Sequence, residues 1–285
     1  MTERPALVWL RNDLRTEDNP ALHAARETGA PVIPVYILDN DMPHAAGGAS
    51  RWWLHHSLSS LTADLEKAGT KLILRRGDST KVLKNLVVET DAAHVFWNRR
   101  YYAKHLEVDK TLKSELNNIG VNVETFNGSL LREPWEIKTG AGGPYRVFTP
   151  FWKALKEIGP ARAQTRPNLR KISGPAKFPK SDKLSAWELI PTKPNWAKEI
   201  AQNWTPGEQG ARDRLNHFLN NNIDDYSAGR DRPDKEFTSR LSPHLAFGEI
   251  SPLQIWIATY DKIAGGKISD AAAMKFLSEV AWREF

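Results

Sequence analysis

The sequence predicts an α/β fold: a doubly wound parallel sheet, followed by an all-helical segment. Three observations carry this. Over residues 1–128, short apolar runs alternate with stretches of helical spacing. Strands separated by helices build a parallel sheet covered on both faces. From 205 onward the apolar spacing is helical, with a period near 3.6.

In chain order, Ala6–Leu10, Pro31–Leu38, Lys71–Arg75, Ala93–Trp97 and Val121–Phe126 read as short strands. Between them, Arg51–Lys67 carries Leu54, Leu58, Leu61 and Leu65 at helical spacing. Ser79–Glu89 and Ala103–Asn118 are shorter versions, the latter with Leu106, Leu112 and Leu116. The first strand runs into a charged loop, RNDLRTEDNPALHAA (Arg11–Ala25). Within it, Asp18-Asn19-Pro20 predicts a helix start, a capping side chain followed by proline in the first turn. No GxGxxG follows the strand, so no dinucleotide is expected there. The loop lies at the carboxyl end of a strand, where open sheets bind ligands, and ordinary turn chemistry accounts for it too.

Leu130–Lys156 contains GAGGPYRVFTPFWKAL, whose glycines predict a flexible turn. Gly159–Asn203 is irregular and holds Pro160, Pro167, Pro175, Pro179, Pro191 and Pro194. A loop this long needs a reason, and tethering two domains supplies one. Thr205-Pro206-Gly207-Glu208 fits a capping box with proline at the first helical position. The helix it opens buries Ala211, Leu215, Phe218 and Leu219. Ser251-Pro252 is a second start, followed by Leu253, Trp256, Ile257 and Tyr260, and Asp270 is expected to cap the last helix.

Composition sets limits. Of 285 residues, 40% are hydrophobic and 26% charged, as in ordered soluble chains. No apolar run reaches membrane-spanning length, and MTERPALVWL lacks a signal-peptide layout. The absence of Cys excludes disulfides, thiolate zinc sites and cysteine-ligated clusters. A cytoplasmic protein is expected, with no metal site. Net charge is +6 and the pI about 9.4. Residues 161–212 hold 10 Lys/Arg against 4 Asp/Glu, so the excess sits in this segment. It suits a polyanion partner or a solvated linker. Eleven Trp is heavy usage: such rings pack cores, stack on flat ligands or relay electrons.

The chemistry-bearing residues gather in Tyr226–Ser251 and Ala271–Phe285. On a helix from Ala271, Phe276, Glu279 and Arg283 fall within one arc, with Trp282 beside it. Met274, Leu277, Ala281 and Phe285 fall opposite and read as the core stripe. Glu279 and Arg283 also fit an exposed i,i+4 ion pair. Two large aromatics on a polar face are unusual for a solvated surface and suit a site for flat rings. TSRLSP (Thr238–Pro243) offers hydroxyls, an Arg and a run of amides, a natural grip for phosphate or an ordinary N-cap.

Together these residues carry a resemblance. Tyr226 with Arg230, then TSRLSP, LAFGEIS (Leu245–Ser251) and EVAWREF (Glu279–Phe285), are very similar to the flavin domain of the photolyase/cryptochrome family. VWLRNDLRTEDNPAL resembles the family's opening signature, and YRVFTPFWKAL its passage out of the α/β domain. The likeness runs from Leu7 to Phe285. It implies a Rossmann-like α/β antenna domain over 1–130, an interdomain connector over 131–204, and a partial helical FAD-binding domain over 205–285. It implies a monomeric DNA photolyase, a carbon–carbon lyase acting on UV-damaged DNA, with no membrane association. In such enzymes excited, reduced FAD sends an electron to a pyrimidine dimer flipped from the stack, the cyclobutane ring splits, and the electron returns.

By the same resemblance, Tyr226, Thr238, Ser239, Arg240, Leu241, Ser242, Phe276, Glu279 and Arg283 contact the cofactor. Glu279 and Trp282 are the catalytic pair: the carboxylate binds the dimer's base edges and the indole packs on the lesion. Arg230, Glu279, Trp282 and Arg283 face DNA. Phe276 stands where several relatives have Trp, which keeps the packing and loses an N–H contact. A dry pocket would raise the Glu279 pKa and let it donate.

Two departures stand out. The chain ends at WREF inside what the family makes a continuing helix, so the sequence is expected to be truncated, with weak or absent FAD binding. WNRRYYAKHLEVDK (Trp97–Lys110) lacks an Asn-Glu pair seen in folate-binding relatives, and has Lys104 and His105 there. The antenna is then a folate held differently, a deazaflavin, or absent. Glu279 favours repair of cyclobutane dimers. A cryptochrome-type blue-light sensor, a (6-4) photolyase and a non-catalytic α/β nucleotide-binding fragment are the alternatives.

Overall fold

A computed structural model describes residues 4–39, 47–167, 169 and 171–285. Met1–Glu3 of the N-terminal reading and Arg170 of the basic segment lie outside the described residues. The α/β part runs β1 (Ala6–Leu10), α1 (Pro20–Glu27), β2 (Val32–Leu38), α2 (Gly48–Ala68), β3 (Ile73–Arg76), α3 (Ser79–Thr90), β4 (His94–Asn98), α4 (Ala103–Asn118) and β5 (Asn122–Phe126). Then come α5 (Phe148–Ile158), a 3-10 turn (Leu184–Trp187), α6 (Lys198–Asn203), α7 (Glu208–Asn221), α8 (Tyr226–Gly229), α9 (Ser242–Phe247), α10 (Pro252–Ala264) and α11 (Asp270–Ala281).

The chain divides into two compact units. One comprises Met1–Gly128, Arg166–Glu208 and Phe247–Glu249; the other comprises Ser129–Thr165, Gln209–Ala246 and Ile250–Phe285. The stretch expected to be a connector is thus shared between them. Its second half docks on the first unit through backbone bonds: Val32 N–H donates to Ser173 O (2.7 Å), Ile172 N–H to Ala68 O (2.6 Å) and Asp182 N–H to Leu74 O (2.8 Å). Leu169, Ile172, Trp187 and Leu189 are buried with it.

In the first unit, five parallel strands lie in the order β3-β2-β1-β4-β5. Side chains alternate across a strand, so β1 feeds two cores. Ala6, Val8 and Leu10 meet Leu22 of α1 and Leu54, Leu58, Leu61 and Leu65 of α2. Leu7 and Trp9 meet Leu83 and Leu86 of α3 and Leu112 and Leu116 of α4. Burial on both faces is why the strands read as continuous apolar runs. Asn19 caps α1, accepting from Leu22 N–H, with Pro20 in its first turn, as the sequence predicts.

Four local expectations are corrected. Helix α7 starts at Glu208, not Pro206, because Gly207 has φ 107, outside the helical region; the Glu208 carboxylate accepts from Thr16 N–H (2.9 Å), Thr16 Oγ1 (3.0 Å) and Glu17 N–H (3.0 Å). The capping-box spacing is there, but long-range donors hold the side chain. Ser269, not Asp270, caps α11, accepting from Ala272 N–H; Asp270 is in the first turn. The box at Ser251 does form, with Gln254. Leu106 is 41% exposed, while Asp109 is buried on the inward face of α4. Trp282 ends α11, so Arg283 lies past the helix and the wheel does not place it or Phe285.

The second unit is helical and has its own core. Ala211, Leu215, Phe218 and Leu219 of α7 pack with Leu253 and Trp256 of α10, Phe276, Leu277 and Val280 of α11, and Phe151 and Leu155 of α5.

Candidate functional site

In the second unit, α8 and α11 bring four of the expected residues together. Tyr226, buried at the start of α8, meets Phe218 edge-on (5.5 Å, 85°) and Phe276 edge-on (5.6 Å, 83°). Phe276 also packs on Phe218 (4.6 Å, 53°). Phe276 is 3% exposed, so it stands in the core and not on the polar arc with Glu279, as the wheel had it. The reason is width: with Ala272, Ala273, Phe276, Leu277, Val280 and Ala281 all buried, the apolar stripe of α11 extends past Phe276.

Arg230, one turn after Tyr226, lies over the Tyr226 ring at 5.7 Å and forms an ion pair with Glu279. Lys275 Nζ holds the same carboxylate oxygen at 3.2 Å. The expected Glu279–Arg283 pair is not the one made: the Arg283 guanidinium reaches the Leu245 carbonyl at 3.5 Å. Burial pushes the Glu279 carboxyl up, but its bonds to Arg230 and Lys275 outweigh that and hold it below the ordinary value. This overturns the expectation of a raised pKa. Burial also raises the Tyr226 phenol.

The Thr238–Ser242 turn follows α8 and ends on the first residue of α9. Thr238 and Ser242 are exposed, Ser239 and Arg240 half-buried, and Leu241 is anchored in the core. Arg240 has φ 54, the left-handed region that non-glycine residues seldom enter. Such a kink turns successive amides toward one side, the geometry of an anion nest. Among the described residues, the Thr238, Ser239 and Ser242 hydroxyls have no side-chain or backbone partner. The turn therefore fits a phosphate group. The Arg240 guanidinium pairs with Glu236 at 2.8 Å. Phe276, enclosed by Phe218 and Tyr226, does not fit a direct contact with a ring ligand.

Trp282 is 50% exposed, one turn beyond Glu279. Its indole stacks on Phe148 of α5, with centroids 3.8 Å apart and planes 9° from parallel. Sequence reasoning missed Phe148, whose contact with Trp282 no local spacing encodes. It also missed Lys275, although its i,i+4 spacing to Glu279 was readable. An open cleft of about 120 Å³ lies past the end of α11, lined by residues that include Arg132, Tyr145, Phe151 and Glu284. Its walls include none of the residues expected to bind a cofactor.

In the first unit, order along the sheet reverses between β1 and β4, and side chains fill the carboxyl ends there. Asp13 accepts from Arg11 N–H (2.6 Å) and Asn98 Nδ2 (2.7 Å). Asp109 receives both Arg11 (3.0 Å) and Arg100 (2.5 Å). Burial lowers the Arg11 guanidinium to about 10, with the Arg100 charge second. Arg15 donates to the Gly248, Asp18 and Gly128 carbonyls. These Arg and Asp side chains are occupied in holding the loop to the strand ends.

The fold and site define a class of protein in which a doubly wound sheet is joined in one chain to a helical unit carrying a hydroxyl-rich turn, a paired carboxylate and a half-exposed indole. The family model for DNA photolyase matches residues 6–169. The chain is 49% identical over 281 residues to a deoxyribodipyrimidine photo-lyase of Agrobacterium fabrum, covering 99% of this chain and 58% of that protein. It is 34% identical over 289 residues to cryptochrome-1 of Arabidopsis thaliana, covering 98% of this chain and 42% of that one. A solved bacterial class III photolyase from Agrobacterium tumefaciens has a TM-score of 0.94 at 48% identity, over 100% of this chain and 58% of that chain. The chain belongs to the DNA photolyase family. It spans 58% of the length of these photolyase relatives.

Proposed function

We propose that this chain serves light-driven repair of cyclobutane pyrimidine dimers in DNA. The observation that carries it is the juxtaposition on α11 of an ionised, doubly paired Glu279 and a half-exposed Trp282. Bound FAD would supply the electron for the reaction. Thr238, Ser239, Ser242 and the amides around Arg240 and Leu241 would hold its phosphates. Tyr226 supports that side of the site from the core, and Phe276 supports Tyr226.

The protein's own part is recognition. A carboxylate held below the ordinary pKa range accepts hydrogen bonds from N–H groups on a base edge and does not donate. Trp282 stacks on a base turned out of the duplex. Arg230 and Arg283 balance phosphate charge, and the lysines and arginines of 161–212 add a long-range attraction to a polyanion. The domain assignment follows: the sheet unit as antenna domain, the helical unit as part of the flavin domain. The antenna is a folate or a deazaflavin. No helix among the described residues is long and apolar enough to cross a membrane, and we place the protein in the cytoplasm as a monomer.

Fluorescence anisotropy with an oligonucleotide carrying one cyclobutane thymine dimer tests the reading. Preferential, salt-steep binding of the damaged strand and its restoration under blue light after flavin loading are expected. Equal affinity for undamaged DNA sinks it. The likeness to cryptochrome-1 favours a second reading, a blue-light sensor. Flavin binding with a light response and no repair would select that one.

A further inference from the structure

We infer that Phe148 is a positioning residue for the proposed reaction: it backs one face of the Trp282 indole, so that the opposite face alone is offered to a single flipped base. The inference rests on the reading of Trp282 as the ring that meets damaged DNA.

The two rings lie nearly cofacial, 3.8 Å apart at 9°. Aromatic pairs left to themselves prefer offset or edge-to-face arrangements, because their quadrupoles repel in a sandwich. Here neighbours impose the stack. Phe285 stands edge-on to both rings, 5.8 Å from Phe148 at 77° and 5.6 Å from Trp282 at 83°. Phe151, buried in the core, touches Phe148 (6.2 Å) and Phe285 (5.5 Å) from behind. Phe148 itself is fixed at the first position of α5.

Trp282 nevertheless stays 50% exposed, and Phe148 and Phe285 are its ring neighbours among the described residues. With Phe148 on one face and Phe285 beside the stack, we assign the exposure to the face away from Phe148. A ring with one face covered takes one base and cannot intercalate between two. The charge around it suits a nucleotide: Arg283 is exposed next to it, and Lys275 and Arg230 lie by Glu279 on the preceding turn.

The test compares Phe148→Leu, Phe148→Tyr and the unaltered protein by anisotropy with the dimer-bearing and the undamaged oligonucleotide. Phe148→Leu should bind the damaged strand about tenfold more weakly, the scale of one base–aromatic stack. Phe148→Tyr, which keeps the stack, should stay within about twofold of the unaltered protein. A Phe148→Leu affinity equal to the unaltered one, or an equal loss in Phe148→Tyr, overturns the inference. Ring orientation is read separately as the near-ultraviolet circular dichroism difference between the protein and Trp282→Phe. That difference should survive Phe148→Tyr and collapse in Phe148→Leu; if it persists in Phe148→Leu, the inference is lost. Should the unaltered protein show no preference for damage, the functional reading fails, and the base-presenting role fails with it. The dichroism then still decides whether Phe148 orients the indole.

Discussion

Glu279 is paired across helices with Arg230 of α8, and not along the chain with Arg283. This fixes its charge state. A carboxyl whose folded pKa is depressed stabilises the fold above its ordinary value and loses that contribution as pH falls through the folded value. Glu279→Gln should therefore cost about 0.5 kcal/mol at neutral pH, the scale of a solvent-screened pair. The cost should vanish in acid, well below the ordinary value of 4.5. Urea unfolding of both proteins across the acid range checks it; a constant difference down to the lowest pH contradicts it.

Trp282→Ala should separate binding from folding. The ring is half exposed, so stability should fall by about 1 kcal/mol, the scale of its stack on Phe148. Affinity for dimer-bearing DNA should fall by about 1–3 kcal/mol, while binding to undamaged DNA changes little. A parallel loss on both strands would show a general effect on folding instead.

Glu284 gives a second, opposite pH signature. Its carboxylate accepts from the backbone N–H of Leu131 and of Arg132 (3.2 Å). The residue is only partly buried, but the carboxyl points inward, and burial pushes its pKa up to about 7 against those two bonds and the Arg283 charge. A raised acid binds its proton more tightly folded than unfolded. Stability should therefore decline as pH rises from about 4.5 toward 7 and level off above it. Glu284→Gln should flatten that slope, which carries about 1.4 kcal/mol for each tenfold difference in proton affinity between the folded and unfolded chain. Thermal melts at several pH values between these limits measure it.

Asp109→Ala should be among the most destabilising single changes in the first unit. It strips the shared carboxylate from two guanidinium groups, Arg11 and Arg100, of which Arg11 is 8% exposed. Leaving buried charge without its partner costs about 3–5 kcal/mol. Denaturant unfolding reads this, and a loss under about 1 kcal/mol would mean that the network relaxes into solvent.

Gly248→Ala should disrupt the LAFGEIS segment. Gly248 has φ +67, and a Cβ there would collide with the Asn12 carbonyl oxygen. The backbone cannot open without releasing Arg15, which donates to the Gly248 carbonyl at 2.9 Å. A loss of more than about 3 kcal/mol in the same unfolding assay is expected.

The amino-acid order alone determined the alternation that makes the sheet, the helix starts at Asn19 and Ser251, and the family motifs. Each of these is local: strand burial on two faces, a cap and its proline, a short ordered run. What only the tertiary structure decided is which partners the polar side chains take. Glu208 leaves its capping box for Thr16 and Glu17, Asp109 joins Arg11 and Arg100, Glu279 turns to Arg230, and Trp282 lies on Phe148. Hydrogen bonds and stacks act over a few ångströms of space, and distance along the chain does not encode which distant donor or ring arrives there. Spacing can say that Glu279 will seek a cation; packing of α8 against α11 chooses the one it finds.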